Sequence, residues 1–165
     1  MLNSYKFKLA DVSLTCLTLF YIIMLGGGCY EQLTVTNLVT SAPPKSLYML
    51  QGPFGFKPMI FWIIFRPITI ILFLLAIVAN WKKSRRKLLL FAFGIDLITT
   101  IATFTYFAPE TGAIVGATYH PDIIDPALFE RAQLWKNLNW IRVTGFCIGS
   151  VVLLTSIKQN GDRKT

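Results

Sequence analysis

The chain has 165 residues, of which 54% are hydrophobic and 15% are charged, and its net charge is +8. Its mean hydropathy of +0.56 is too high for a water-soluble domain of this length, and it indicates an integral membrane protein.

Four apolar stretches are long enough to cross a hydrocarbon core of about 30 Å, which takes about 20 helical residues. The predicted spans are residues 7–28, 58–80, 88–107 and 138–157. We predict helices, because these stretches lack the alternating pattern of barrel strands and because lipid offers their backbone groups no other partners. The predicted fold is therefore an all-α integral membrane four-helix bundle, formed by residues 1–165 as a single membrane domain with two outer loops.

The first predicted span ends in the sequence GGGC at residues 26–29. Together with Lys6 and Lys8 and the apolar run, this sequence resembles a cleavable signal with a lipid-attachment cysteine at Cys29. Such signals usually carry leucine where this chain has Gly26. We expect the span to be retained, with its glycines allowing another helix to approach closely.

Positive charge is distributed unevenly between the two sides of the predicted bundle. The short loop WKKSRRK at residues 81–87 carries five basic residues, and the terminal tails add Lys6, Lys8, Lys158, Arg163 and Lys164. The two longer loops carry only Lys45, Lys57, Arg131 and Lys136. This excess predicts that both termini are cytoplasmic, in a plasma membrane or bacterial inner membrane. We expect no nucleic-acid partner, because one short hairpin offers little basic surface.

The two longer loops have different predicted structures. Residues 29–57 contain SAPPKS and QGPFGFKP, whose prolines and glycines predict a folded cap with a short helical turn near residues 47–51. In the second loop, residues 108–137, Asp125 is the predicted N-cap and Pro126 the first residue of an amphipathic helix at the outer interface. That helix is predicted to run into the fourth span.

Cysteine and histidine usage indicates neither a metal site nor thiol chemistry. Cys16, Cys29 and Cys147 form no C-x-x-C pair, and His120 is the only histidine. A haem or metal site with two histidines from one chain is therefore excluded. His120 lies between turn formers and is predicted to be a surface loop residue. We expect no metal and no cofactor.

Arg66 interrupts the apolar sequence FWIIFRPITII of the second span. A lone cation near mid-bilayer costs about 2.5–3.5 kcal/mol, so Arg66 needs a partner or a water-filled cavity. By helical rise, Glu31 and Arg142 share its outer half of the membrane, whereas Asp96 lies several Å deeper. Glu31, carried on an extended first helix, is the favoured partner and Asp96 the alternative. With Glu31 alone, two arginines leave a positive surplus that suits an anionic or electron-rich ligand.

One face of the third span is polar along most of its length. Asp96, Thr99, Thr103 and Tyr106 follow one another at spacings of three and four, and Thr100 adjoins them. Two interpretations stay open. The side chains form hydrogen bonds between helices, or they face an internal cavity that is open to the outer side.

The sequences GGGCYEQ at residues 26–32 and RAQLWKNLNWIR at residues 131–142, with a proline-containing outer loop, resemble the anthrone oxygenase-like family of small four-helix membrane proteins. That family's last helix opens with W-x-x-x-N-x-x-R, here Trp135, Asn139 and Arg142. Members of known activity oxidise anthrone-type polycyclic phenols with molecular oxygen, without metal or flavin. The resemblance implies that these three residues and Glu31 border a common site. The first outer loop is longer here than in the family, which weakens any inference about the same substrate.

We therefore expect a site for a small amphiphilic aromatic or quinone-like ligand in the outer half of the bundle, with Glu31 as the catalytic base if the protein is an oxygenase. The expected ligand-binding residues are Arg66, Arg142, Asn139, Trp135, Asp96 and Tyr106. Two other hypotheses are a structural or accessory subunit of a larger membrane complex and an oligomeric transporter of small solutes or protons. The expected partners are the lipid bilayer, the ligand, and a second copy or a membrane-complex subunit.

Overall fold

The computed structural model describes residues 2–159, with side chains described from residue 9 onward. The α-helices are α1 (Leu2–Tyr30), α2 (Asn37–Val39), α3 (Met59–Ala79), α4 (Arg86–Ala102), α5 (Ala108–Val115) and α6 (Pro126–Lys158). Wider π-helical segments join α1 to α2 at Glu31–Thr36 and α4 to α5 at Thr103–Phe107, and a 3₁₀ helix occupies Lys45–Leu50. No β-strand occurs within residues 2–159. The side chains of Lys6 and Lys8, and residues Arg163 and Lys164, lie outside the described residues.

Within residues 2–159, four helical rods are long and apolar enough to cross a membrane, and they confirm the predicted all-α membrane bundle. They are Leu9–Val39, Met59–Ala79, Arg86–Val115 and Pro126–Lys158. Three of them continue well past the predicted ends of the spans. The first continues through its glycines because a helical glycine costs only about 1 kcal/mol relative to alanine. The amphipathic segment before residue 138 is the first part of α6, as predicted for a helix that runs into the fourth span.

The rods form a bundle with two distinct ends. We call the end that carries residues 80–85 the hairpin end, and the end that carries residues 40–58 and 116–125 the cap end. Helix α1 packs against α3 and α6, and α4 packs against α6, whereas α3 and α4 touch more sparsely. The seam between α3 and the third rod is therefore the loosest in the bundle. The cytoplasmic orientation of the hairpin end stays a prediction.

Aromatic rings and small residues fill the centre of the bundle. Tyr21 is fully buried and packs edge-on against Phe73 and Phe146. A Cβ atom added at Gly149 would lie 2.6 Å from the Tyr21 ring, so only glycine allows α6 to approach this closely. At Gly27 the same construction meets the Phe61 ring at 2.6 Å, whereas at Gly26 it meets nothing within 4 Å, so one glycine of the triplet makes the close helix approach that was predicted for all three.

The hairpin end is held by a buried arginine. Arg85 is 2% exposed, and its guanidinium donates to the Asp11 carboxylate and to Asn80 Oδ1. The Asn80 amide in turn donates to the carbonyl oxygen of Ala10 at 3.2 Å. These bonds fix the loop between α3 and α4 against α1, and thereby fix the positions of the first three rods along the bundle axis relative to one another.

The cap end is a folded lid made from both long loops. The 3₁₀ helix lies where the helical turn was predicted, and it buries Leu47 completely. Gln51 donates to the carbonyl oxygens of Val115 and Ala117 at 2.8 and 2.9 Å. Asp125 accepts from the first backbone amides of α6, as predicted for an N-cap. The two loops thus close the bundle above α5 and the start of α6.

Candidate functional site

A cavity of about 460 Å³ lies in the cap half of the bundle, between α3, the third rod and α6. This is within the size range of sites for small organic ligands. Its wall consists of aromatic and aliphatic side chains with few polar groups. The lining residues are Glu31, Pro58, Met59, Trp62, Ile63, Arg66, Pro67, Ile70, Thr103, Phe104, Phe107, Ala108, Thr111, Trp135, Asn139, Arg142 and Phe146.

Arg66 is paired with Asp96, and the favoured pairing with Glu31 is wrong. Arg66 Nη1 donates to Asp96 Oδ1 at 2.7 Å, and the two side chains are 12% and 1% exposed. Its Nη2 donates to the hydroxyls of Thr99 and Thr100 at 3.1 and 2.5 Å. The Arg66 charge is therefore neutralised by one carboxylate and anchored on α4.

Helix geometry explains this pairing. Arg66 lies about 20 Å from the end of α3 at Ala79, and Asp96 lies about 15 Å from the start of α4 at Arg86, at 1.5 Å per residue. The arginine side chain spans the remaining gap of about 5 Å by reaching along the helix axis toward the hairpin end. Glu31 is held elsewhere, since its Oε2 accepts from Trp62 Nε1 at 2.5 Å.

The polar face of the third rod serves both of the functions considered for it. Asp96, Thr99 and Thr100 bind the Arg66 guanidinium, which joins α4 to α3. Thr103, one turn further toward the cap end, lines the cavity. The part of this face that binds Arg66 ends, and the part that lines the cavity begins, where the π-helical segment starts at Thr103.

Arg142 is the charged group of the cavity that has no carboxylate partner. Its guanidinium lies 4.6 Å from the Phe107 ring centroid and 5.9 Å from that of Trp62. Within residues 9–159 it forms no ion pair and no hydrogen bond, and its Nε atom is buried without a partner. A partly buried guanidinium whose nearest contacts are aromatic faces lacks the hydrogen bonds that such a group normally makes.

The positive surplus expected from two arginines and one acid is absent. Asp96 neutralises Arg66, and Glu31 offsets the charge of Arg142 without forming an ion pair with it. Besides the paired Arg66, the cavity thus presents one acceptor carboxylate and one donor guanidinium that are not bonded to each other. Such a wall suits a ligand that both accepts from a cation and donates to a carboxylate, and it does not favour a simple anion.

Asn139 and Trp135 both line the cavity, as predicted, and a glutamine overlooked in the sequence holds one of them. Asn139 Nδ2 donates to Gln32 Oε1 at 2.7 Å, and Gln32 Nε2 donates to the carbonyl oxygen of Lys136 at 2.8 Å. Both amides are buried. This pair holds the first rod, which carries Glu31, against α6, which carries Arg142. It therefore fixes the positions of these two charged side chains relative to each other.

A second cavity of about 40 Å³ adjoins the first toward the cap end. Glu31, Pro58, Thr111 and Trp135 line both cavities. The Trp135 Nε1 and Thr36 Oγ1 atoms are buried without a partner, and both residues line the small cavity. This space is large enough for ordered water that would satisfy these two groups.

Tyr106 does not line the cavity, although the sequence placed it there. The π-helical segment Thr103–Phe107 has more residues per turn than an α-helix, so Phe107 takes the position facing the cavity. Tyr106 instead packs edge-on against Phe107, with ring centroids 5.1 Å apart. Asp96 likewise lies behind the wall, where it acts through Arg66.

Three aromatic side chains of the wall, Trp62, Phe107 and Phe146, were missing from the sequence-based prediction. Trp62 stacks on Phe146 with 6.0 Å between ring centroids, and the Phe107 ring lies beneath Arg142. Trp62 lies four residues before Arg66, one helical turn away, and that spacing was the only available signal.

His120 lies exposed in the second loop, as predicted, and away from the cavity. Cys16, Cys29 and Cys147 are free thiols. Across residues 9–159 no group of three or more histidine, cysteine, aspartate or glutamate side chains is arranged to hold a metal ion.

Comparison with known proteins returned no counterpart. No protein-family description, curated protein or solved structure matches the chain. The resemblance to the anthrone oxygenase-like family, and with it the catalytic role of Glu31, therefore stays a prediction from the sequence.

Proposed function

We propose that the protein binds a small amphiphilic aromatic molecule in the 460 Å³ cavity, through a phenolic or quinone-like oxygen function. The single observation that carries this proposal is the lack of a hydrogen-bond partner for Arg142 among the described residues. Its partly buried guanidinium lies against the Trp62 and Phe107 rings, lines the cavity and has no hydrogen-bond acceptor in the described part of the chain. A ligand oxygen would supply that acceptor.

The other walls narrow the ligand class. Trp62, Phe107 and Phe146 offer ring faces for a flat apolar body. Glu31 also lines the cavity and is held in place by the indole of Trp62, so its carboxylate is available to accept a hydrogen bond from a ligand hydroxyl. A phenol meets both polar requirements, because its oxygen accepts from a guanidinium and its hydrogen is donated to a carboxylate.

The test compares two probes of nearly equal size. Naphthol offers both a donor and an acceptor, whereas methoxynaphthalene offers only an acceptor. We expect naphthol to bind the purified protein about 10 to 100 times more tightly, because a hydrogen bond to a charged group contributes about 1.5–3 kcal/mol. Fluorescence anisotropy of the probes in a mild detergent measures both affinities. Equal affinities, or no binding of either probe, would contradict the proposal.

A further inference from the structure

The cavity is open at one side. Its lining includes Met59, Ile63 and Phe104, which are 48%, 64% and 70% exposed. Residues that are enclosed by protein cannot be exposed to this extent. These side chains, together with Pro67, therefore form the rim of an opening, which we call the portal.

The portal lies in the loosest seam of the bundle. Met59, Ile63 and Pro67 follow one another at spacings of four along α3, and Phe104 faces them from the π-helical segment of the third rod. Helices α3 and α4 touch sparsely, and the Arg66–Asp96 pair joins them on the hairpin side of the opening. Toward the cap end, nothing comparable ties α3 to the third rod in the described residues.

The portal lies at the depth of lipid chains. Ile63 is about 6 Å and Pro67 about 12 Å along α3 from its start at Met59, within a rod whose length matches the hydrocarbon thickness. All four rim residues are apolar, and none offers a group that would hold water. An opening of this kind faces acyl chains and not the aqueous phase.

We infer that the cavity is entered from within the bilayer through this portal, and that its ligand is a membrane-dissolved amphiphile whose apolar tail lies in the portal. The inference rests on the proposed function, since the aromatic head of the ligand occupies the cavity beside Arg142. An apolar tail in the portal exchanges lipid neighbours for Ile63, Met59 and Phe104, so it neither gains nor loses much free energy on binding.

The first arm of the test compares two naphthol derivatives in protein embedded in lipid nanodiscs. One carries a dodecyloxy chain and the other a methoxy group at the same ring position. With concentrations expressed as mole fraction in the lipid, we expect affinities that agree within about threefold, since the tail stays in an apolar medium. A closed cavity would have no room for the dodecyloxy group. Binding of the methoxy compound alone would therefore overturn the portal while leaving the proposed function intact.

The second arm measures association rates with two matched variants of the wild-type chain. Ile63→Trp narrows the portal, whereas Ile64→Trp places the same ring on the neighbouring lipid-facing residue, which is 52% exposed and does not line the cavity. We expect Ile63→Trp to slow association of the dodecyloxy compound by about tenfold, and Ile64→Trp to leave the rate unchanged. Equal rates in the two variants would overturn the inference. Failure of both compounds to bind the wild-type chain would remove the proposed function and the portal with it.

Discussion

Replacing Asp96 with leucine is expected to destabilise the protein by about 3–5 kcal/mol, because it leaves the Arg66 guanidinium buried without its carboxylate. Asp96 is 1% exposed, and its Oδ1 atom accepts from Arg66 Nη1 at 2.7 Å. The remaining acceptors of Arg66 are neutral, namely the hydroxyls of Thr99 and Thr100 and the Asp96 carbonyl oxygen. They do not replace a charge in a low-dielectric interior. Thermal unfolding in detergent measures the loss.

The matched control removes both charges. We expect the double variant Arg66→Met/Asp96→Leu to recover most of the lost stability, because an apolar pair of similar volume carries no desolvation cost. Thr99 and Thr100 stay satisfied in this variant, since their hydroxyls also donate to the carbonyl oxygen of residue 96. A double variant that is as unstable as Asp96→Leu alone would show that the ion pair is not the source of the effect.

Replacing Arg142 with glutamine is expected to weaken naphthol binding by about 10 to 100 times, with little change in unfolding temperature. The guanidinium has no hydrogen bond to lose within the described residues, so its main contribution in the free protein is its contact with the Phe107 and Trp62 rings. In the complex it would form a charge-assisted hydrogen bond worth about 1.5–3 kcal/mol. Fluorescence anisotropy with naphthol reports the affinity.

A second arginine on the same helix serves as the control for Arg142. Arg131 is half exposed, is paired with Glu110, and lies outside the cavity. Arg131→Gln should leave naphthol affinity unchanged, because a surface ion pair contributes little and does not contact the ligand. The binding assignment fails if Arg142→Gln and Arg131→Gln bind naphthol equally well.

Hydropathy was sufficient to predict the bundle, because lipid leaves a chain of this composition few alternatives. The four rods, the Asp125 N-cap and the helical turn at Lys45–Leu50 follow from local sequence signals. The rod ends were less predictable. A hydropathy boundary marks where apolar residues stop, whereas a helix continues until its backbone finds other partners. Packing at the cap end extends three rods beyond that boundary.

The partner of Arg66 was not predictable from depth alone. Helical rise from the sequence predicts that Asp96 lies several Å deeper than Arg66, so a carboxylate at equal depth is the expected partner. Two facts outweighed depth. Arginine reaches several Å along the membrane normal, and Glu31 is held by Trp62 from the adjacent helix. The indole of Trp62 carries no charge, so the pattern of opposite charges in the sequence gives no sign that Trp62 is the partner of Glu31.

The π-helical segments explain the remaining error at the site. With 3.6 residues per turn, Tyr106 and Phe107 lie at similar angles on either side of the helix direction that Thr103 faces. The polar hydroxyl of Tyr106 made it the predicted cavity residue. The wider turns bring Phe107 to the cavity instead, and the other π-helical segment begins at Glu31, on the same cavity wall. Such segments leave no pattern in hydropathy, although they occur often at functional sites.

The most direct test of the binding site is an experimental structure of the protein with bromonaphthol, in which anomalous scattering locates the bromine. We expect a bromine peak inside the cavity between Trp62 and Phe107, with the phenolic oxygen hydrogen-bonded to Arg142. A cavity filled by its own side chains, or a bromine peak only on the lipid-facing surface while Arg142 points out of the bundle, would contradict the proposed binding site.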